Sequence, residues 1–252
     1  MRKQLVELLS GVSYRCSVAL TRMVVFSLAR WEIVGAERVP PTGPLILVAN
    51  HVHLLDPPLV AGALSRRVHP MAKRELFEAP VVGWFFWLYG AFPVRRFSAD
   101  LGALRTARSF LRAGEAVLMF PEGTRARGDE EATTRMRPAL PGAALVALTS
   151  RAPIVPVAIS GSNVPLPGVF YAWARRRRPR IRLEFGEPFV IAEGGADITS
   201  AEAATDHMMR RVAALLPPAQ RGVYGEQTAG QVVVARQSSR PPRGEIEARG
   251  DD

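Results

Sequence analysis

Cysteine is almost absent from this chain. Cys16 is the single one among 252 residues. That excludes an internal disulfide and any cysteine-built metal site, and it fits a reducing compartment. The four histidines, His51, His53, His69 and His207, form no H-E-x-x-H pattern. There is no G-x-S-x-G elbow and no G-x-x-x-x-G-K-[ST] phosphate loop. Cys16 has no histidine near it in sequence, so no protein nucleophile stands out. The chemistry left open is direct attack by a substrate group, without a covalent enzyme intermediate. Internal repeats are also missing. So is a long hydrophobic run: the apolar stretch over residues 18–28 is punctuated by Arg15, Arg22 and Arg30. Its charge-free part, residues 23–29, is far shorter than the ~20 residues that span a bilayer. No small-residue cleavage site follows, which argues against a secretory signal. Two readings of this N-terminal segment stand. In one it is an interfacial helix with snorkelling arginines and with Leu20, Val24, Phe26 and Leu28 at the headgroup boundary. In the other it packs on its own domain.

What is present points to a folded α/β protein. The chain is 48% hydrophobic and 22% charged, enough for a substantial core. Its length suits one domain. The formal net charge of +10 implies an anionic partner: nucleic acid, anionic lipid or a phosphorylated substrate. Strand candidates lie at residues 45–49, 117–120, 154–159 and 181–185. The first three are near-continuous apolar runs, as in strands buried on both faces. Helices are expected between them. One covers residues 57–67, with prolines in its first turn. A second covers residues 99–112, with Ser98 as N-cap, Leu101, Leu104, Ala107 and Leu111 near one face, and Gly114 past the end. A third ends near Leu216 after a Thr199/Glu202 capping box. The alternation predicts a central, largely parallel or mixed sheet flanked by helices, with an N-terminal interfacial helix. The domain division is 1–30 for that helix, 31–217 for the main domain and 218–252 for a tail whose composition predicts disorder.

Three polar segments follow apolar ones. Asn50-His51-Val52-His53-Leu54-Leu55-Asp56 comes directly after a strand, where ligand sites of open α/β sheets lie. A histidine with a carboxylate nearby is the unit of general-base catalysis. Asp56 has a rival role as helix N-cap. Phe120-Pro121-Glu122-Gly123-Thr124-Arg125 also follows a strand. There Arg125 offers a forked donor for phosphate, Thr124 a hydroxyl, and Gly123 a close backbone approach. Glu122 can orient the arginine or bind a substrate hydroxyl, and the bland alternative is a polar turn with an i,i+3 ion pair. In Gly90-Ala91-Phe92-Pro93-Val94-Arg95-Arg96, two arginines complete an anion pocket or simply form a solvated turn.

Together these segments resemble the glycerophospholipid acyltransferases, specifically the 1-acyl-sn-glycerol-3-phosphate (lysophosphatidate) acyltransferase family. That family carries four ordered blocks. Blocks one to three are similar to the segments at Asn50–Asp56, Gly90–Arg96 and Phe120–Arg125. Block four is similar to Ala152-Pro153-Ile154-Val155-Pro156-Val157. Ala72-Lys73-Arg74-Glu75-Leu76-Phe77 and Phe185-Gly186-Glu187-Pro188 add to the likeness, which runs from about Trp31 to Leu216. The resemblance implies that His51 deprotonates an acceptor hydroxyl and that Asp56 orients it. The hydroxyl then attacks an acyl thioester of coenzyme A or acyl carrier protein, yielding phosphatidate. It further implies that Arg96, Glu122, Gly123, Thr124 and Arg125 hold the glycerol phosphate, with Lys73 as a further contact. No metal or other cofactor is expected. Block four is read as a core strand in preference to an acyl-donor wall. His53 and Arg95 depart from the family pattern, which often has a small hydroxylated residue and an acidic residue there. His53 is read as a bystander.

The implied partners are a membrane phospholipid surface and the thioester donor, at the cytoplasmic face of the plasma membrane. Nucleic acid is not expected, because the aromatics cluster apart from most of the arginines and no zinc-finger spacing or recognition motif appears. Oligomeric state is not legible. The aromatic run Trp84-Phe85-Phe86-Trp87-Leu88-Tyr89 is either a buried helix or an acyl-chain groove or membrane-facing surface. Tyr171, Trp173 and Arg175-Arg176-Arg177-Arg178 suit an anionic membrane interface, or form a solvated loop. Glycerol 3-phosphate or another lysophospholipid is the alternative acceptor. A noncatalytic membrane-binding protein is the alternative of a different class.

Overall fold

The computed structural model describes residues 2–95, 100–123, 134–163, 175, 178–191 and 200–225. The order begins with helix α1 (Arg2–Leu28), strand β1 (Arg30–Val34), β2 (Leu45–Ala49), α2 (Asp56–Ala63) and β3 (Val68–Lys73). Next come α3 (Glu75–Glu78), α4 (Pro80–Leu88), β4 (Phe92–Val94), α5 (Leu101–Arg112) and β5 (Ala116–Met119). Then follow α6 (Gly142–Ser150), β6 (Ile154–Ser160), β7 (Arg180–Phe185) and α7 (Ala201–Leu215). Two 3-10 turns, Pro218–Gln220 and Gly222–Tyr224, close the described chain.

One seven-stranded sheet has the order β1-β7-β6-β2-β5-β3-β4. All pairings are parallel except β6 with β7. The sheet is therefore mixed, and β2, β5 and β6 lie side by side with their carboxyl ends at one edge. Every residue of β2 is buried, because helices cover both faces. Leu45, Leu47 and Ala49 pack with Leu59 and Val60 of α2 and with Tyr14 and Val18 of α1. Ile46 and Val48 pack with Ala107 and Leu111 of α5, Ala144 and Ala147 of α6, and Met208 and Val212 of α7. A continuous apolar run is what a doubly covered central strand needs.

Three strands escape the apolar-run criterion. β1 carries Arg30 and Glu32 among its five residues and sits at the sheet edge. β3 contains Pro70, which lacks an N–H for the ladder. It is tolerated because β3 changes partner there, pairing with β5 through Pro70 and with β4 from Met71. β4 is only three residues long. Block four forms β6, a buried central strand rather than a donor wall.

Several local expectations are corrected. The cap of α5 is Asp100, not Ser98: its Oδ1 accepts from the Ala103 N–H at 3.0 Å. The buried face of α5 is Ala103, Ala107 and Leu111, while Leu101 is exposed. The cap of α7 is Ser200, one residue after Thr199, accepting from the Ala203 N–H at 3.0 Å. Helix α2 stops at Ala63, short of residue 67, because the backbone is already extended at Leu64, with φ −107° and ψ 152°. The aromatic run divides: Phe86 and Tyr89 are buried, whereas Trp84 and Trp87 are more than half exposed.

Helix α1 docks on the domain by one face. Tyr14 accepts the Val68 N–H at 3.1 Å. Tyr89 donates to the Ser17 carbonyl at 2.9 Å and shares a hydrogen bond with Thr21. The other face shows Val12, Leu20, Met23 and Val24 to solvent. Among the described residues, no helix is long and apolar enough to cross a membrane.

The turn after β6 depends on Gly161, at φ 76°. A Cβ there would lie 2.0 Å from the Arg180 carbonyl oxygen, so a side chain would push β7 away from β6. Gly161→Ala should therefore cost roughly 2 kcal/mol or more. A melting temperature lower by about 5 °C in thermal unfolding is the expected reading.

Candidate active site

The carboxyl ends of β2, β5 and β6 frame the site. Asn50 follows β2 and fastens it to β6. Its Oδ1 accepts the Ile159 N–H at 2.8 Å, and its Nδ2 donates to the Ile159 carbonyl at 2.9 Å. The chain then turns through His51, Val52 and His53 into α2. Asp56 opens that helix without capping it, and the position is favourable for a carboxylate beside the N-terminal end of the helix dipole.

The Asp56 side chain is fully buried. Its Oδ2 accepts from His51 Nδ1 at 3.0 Å, the Val52 N–H at 2.7 Å and the His53 N–H at 2.7 Å. Its Oδ1 accepts from the Ser162 hydroxyl at 2.8 Å. A carboxylate can only accept in this arrangement, so His51 carries its proton on Nδ1 and Nε2 keeps its lone pair. That is the tautomer a general base requires. The ring lies against Phe120, centroids 4.3 Å apart.

Glu122, after β5, is also buried. Its Oε1 accepts the His51 backbone N–H and its Oε2 the Arg137 N–H, both at 3.3 Å. The Arg137 Nε lies 3.6 Å from Oε2. Burial raises the Glu122 pKa from 4.5 to about 7. The His51 N–H and Arg137 oppose that rise, and the Asp56 charge adds to it. Gly123 turns the chain at φ 71°. A Cβ there would lie 2.9 Å from a methyl of Leu140.

The structure thus brings His51, Asp56, Glu122 and Gly123 together. Lys73 ends β3 with its ammonium 3.2 Å from Glu75. Arg96, Thr124 and Arg125 lie outside the described residues, as do Tyr171, Trp173, Arg176, Arg177 and residues 226–252. The His53 ring Nδ1 accepts the Leu55 N–H at 3.3 Å within the turn that leads into α2. Ser162 and Arg137 lie outside the sequence motifs, and Phe120 opens one of them without a role assigned to it. Ser162 had a signal, as a polar residue just beyond an apolar strand. Arg137 had none. Among the described residues, no three His, Cys, Asp or Glu side chains gather to hold a metal ion.

Beside the site, between α5 and α6, is an apolar cavity of about 580 Å³. Met71, Leu104, Met119, Phe120, Leu140 and Leu145 line it, with Arg95 and Asp100 also on its wall. Phe120 therefore touches both the His51 ring and the cavity. The lining includes none of residues 84–89, so the cavity and the aromatic run are separate features.

Known proteins are similar to this chain in sequence and in fold. The family model described as Acyltransferase matches residues 30–160, more than half of the chain. The chain belongs to the acyltransferase family. Among its relatives is the 1-acyl-sn-glycerol-3-phosphate acyltransferase of Bacillus subtilis (strain 168), 32% identical over 133 residues, which are 52% of this chain and 63% of that protein. Another is the 1-acyl-sn-glycerol-3-phosphate acyltransferase alpha of Mus musculus, 35% identical over 134 residues, covering 52% and 45%. The match thus spans less than two thirds of either relative. The crystal structure of the 1-acyl-sn-glycerophosphate (LPA) acyltransferase PlsC from Thermotoga maritima superposes with a TM-score of 0.60 at 22% identity, covering 85% of this chain and 83% of that one. It shares the α/β fold.

The Glu122 shift has a consequence for stability. A carboxyl whose folded pKa lies above its unfolded value binds more protons folded than unfolded. Its contribution is fully present below about pH 4.5 and is lost as pH rises through about 7. The difference is roughly 3 kcal/mol. Glu122→Gln should flatten that pH dependence. Denaturant midpoints measured across this window for both proteins check it.

Proposed function

We propose that this protein transfers a fatty acyl group from a thioester donor to the free hydroxyl of 1-acyl-sn-glycerol 3-phosphate, giving phosphatidate at a membrane surface. The observation that carries the reading is the buried His51–Asp56 pair, whose hydrogen bonds leave Nε2 as the acceptor beside an apolar cavity. In this reading Nε2 takes the hydroxyl proton as the oxygen bonds to the thioester carbon. The carbon–sulfur bond then breaks, and the proton passes from the imidazolium to the departing thiolate. Asp56 holds the ring and stabilises the imidazolium. Glu122 and Gly123, with Thr124, Arg125 and Arg96, serve the glycerol phosphate. Lys73 is a weaker candidate for that role, since Glu75 already pairs with it. The donor is acyl-CoA or acyl carrier protein.

A cavity of about 580 Å³ falls within the roughly 300–1,000 Å³ of small-ligand pockets, and its apolar lining suits a fatty chain. The exposed Val81, Trp84 and Trp87 of α4, with Val12, Leu20, Met23 and Val24 of α1, suit contact with a lipid surface. Trp favours the membrane interface, and Arg15 and Arg22 can snorkel there. The cytoplasmic face of the plasma membrane is the proposed location, since a soluble thioester reaches the site from that side.

Thiol release from oleoyl-CoA in mixed micelles tests this reading, with lysophosphatidate, glycerol 3-phosphate or lysophosphatidylcholine as acceptor. Release should require lysophosphatidate and fall about 10²–10⁴-fold in folded His51→Ala. Normal turnover in that variant would sink the mechanism, and turnover only with another acceptor would change the substrate. Ser162→Ala removes one charge-assisted hydrogen bond from Asp56. It should lower kcat about tenfold with little change in KM, measured by the same release. Leu104→Trp narrows the cavity and should shift preference toward shorter acyl-CoAs in direct competition.

A further inference from the structure

Arg137 reaches the site on a short segment that carries no regular structure of its own. Residues 136–140 are instead held from both sides. On the site side, the Leu140 N–H donates to the Pro121 carbonyl at 2.8 Å. On the other side stand the two 3-10 turns at the end of the described chain. The Met136 N–H donates to the Gln220 carbonyl at 2.9 Å, and the Val223 N–H donates to the Met136 carbonyl at 3.3 Å. The Ala139 N–H donates to the Tyr224 hydroxyl at 3.0 Å. Gly222 sits at φ 52°, and a Cβ there would lie 1.9 Å from the Met136 oxygen. The backbone approach is closer than a side chain allows. Arg221 Nε donates to the Leu216 carbonyl at 3.0 Å, tying these turns to the end of α7. The segment is therefore clamped, and the clamp delivers Arg137 to Glu122 by a backbone hydrogen bond and an ion pair.

We propose that Arg137 is a positioning residue of the acyl transfer, acting on His51 through Glu122, and that the turns at 218–224 hold it in place. The proposal rests on the reading of His51 as the base. Its chain of contacts is short. The Arg137 guanidinium and N–H face one oxygen of Glu122, and the other oxygen accepts the His51 N–H. A buried carboxylate needs such partners, and removing the cation leaves the charge uncompensated. The titratable groups acting on Glu122 are Arg137, Asp56 from α2 and, beyond residues 136–140, Tyr224; the His51 turn contributes its backbone N–H. Arg137 favours the carboxylate and Asp56 opposes it. Without Arg137, Glu122 holds its proton to higher pH, and a protonated carboxyl is a poorer acceptor for the N–H that sets the His51 turn.

The test uses the full chain and the variants Arg137→Gln, Arg137→Lys and Tyr224→Phe. Carbon-13 NMR of labelled glutamate follows the Glu122 carboxyl, assigned with Glu122→Gln. Thiol release from oleoyl-CoA with lysophosphatidate follows turnover across pH. Wild-type Glu122 should titrate near 7. Arg137→Gln should raise that midpoint and move the acid limb of kcat to higher pH. It should lower kcat about tenfold near neutrality with little change in KM. Arg137→Lys should restore most of both readouts, and Tyr224→Phe should shift them part of the way. A folded Arg137→Gln protein with the wild-type carboxyl midpoint or the wild-type pH profile overturns the proposal. If Arg137→Gln does not fold, unchanged readouts in Tyr224→Phe with no rescue in Arg137→Lys overturn it. A wild-type protein that releases no thiol with any acceptor defeats the proposed reaction instead. The NMR midpoint then still decides whether Arg137 governs Glu122.

Discussion

The structure turns on one buried carboxylate. Asp56 has no solvent exposure, so each of its oxygens must find donors within the protein. Four supply them: the His51 ring, two backbone N–H groups of the turn after β2, and the Ser162 hydroxyl beyond β6. The first three are local and shape the turn. The fourth comes from a residue 106 positions away, and it requires β2 and β6 to be neighbours. Satisfying one charge therefore joins two strand ends, selects the histidine tautomer and places the carboxylate at the start of α2. Asn50 reinforces the same junction through paired hydrogen bonds to Ile159.

Around that junction the two sheet faces differ in what they offer. On one face, α1 and α4 dock through Tyr14 and Tyr89 while keeping apolar side chains outward. On the other, α5 and α6 pack on the sheet and leave a cavity beside its carboxyl ends. Phe120 stands between the cavity and His51. The reading of a lipid acyl transfer joins these features: an apolar chain in the cavity, a reacting hydroxyl at Nε2, and an apolar outer surface where such substrates reside. Glu122 completes the arrangement on the β5 side, where burial and the Asp56 charge oppose its ionisation and Arg137 supports it.

Much of this was legible in the linear chain. Uninterrupted apolar runs marked β2, β5 and β6, because strands covered on both faces leave no polar positions. The polar segments following two of them contained His51, Asp56 and Glu122, and the five-residue interval from His51 to Asp56 is closed by a turn whose hydrogen bonds are local. Strands β1, β3 and β4 were not legible. Their tolerance of polar residues and proline depends on edge position and on the change of partner at Pro70, which are properties of the assembled sheet. The caps at Asp100 and Ser200 lay within two residues of the positions expected, the uncertainty left by neighbouring residues that can all cap.

The sequence by itself determined the α/β class, the family likeness and the histidine–aspartate pair, since each follows from residues close together along the chain. Only the tertiary structure decided that Ser162 completes the Asp56 shell, that Arg137 faces Glu122, and that the apolar cavity lies between α5 and α6 rather than at the aromatic run. The physical reason is range. Turns, runs and caps are set by interactions between near neighbours. Which strand ends meet, and which distant side chain satisfies a buried charge, depends on sheet order and on helix packing from both faces.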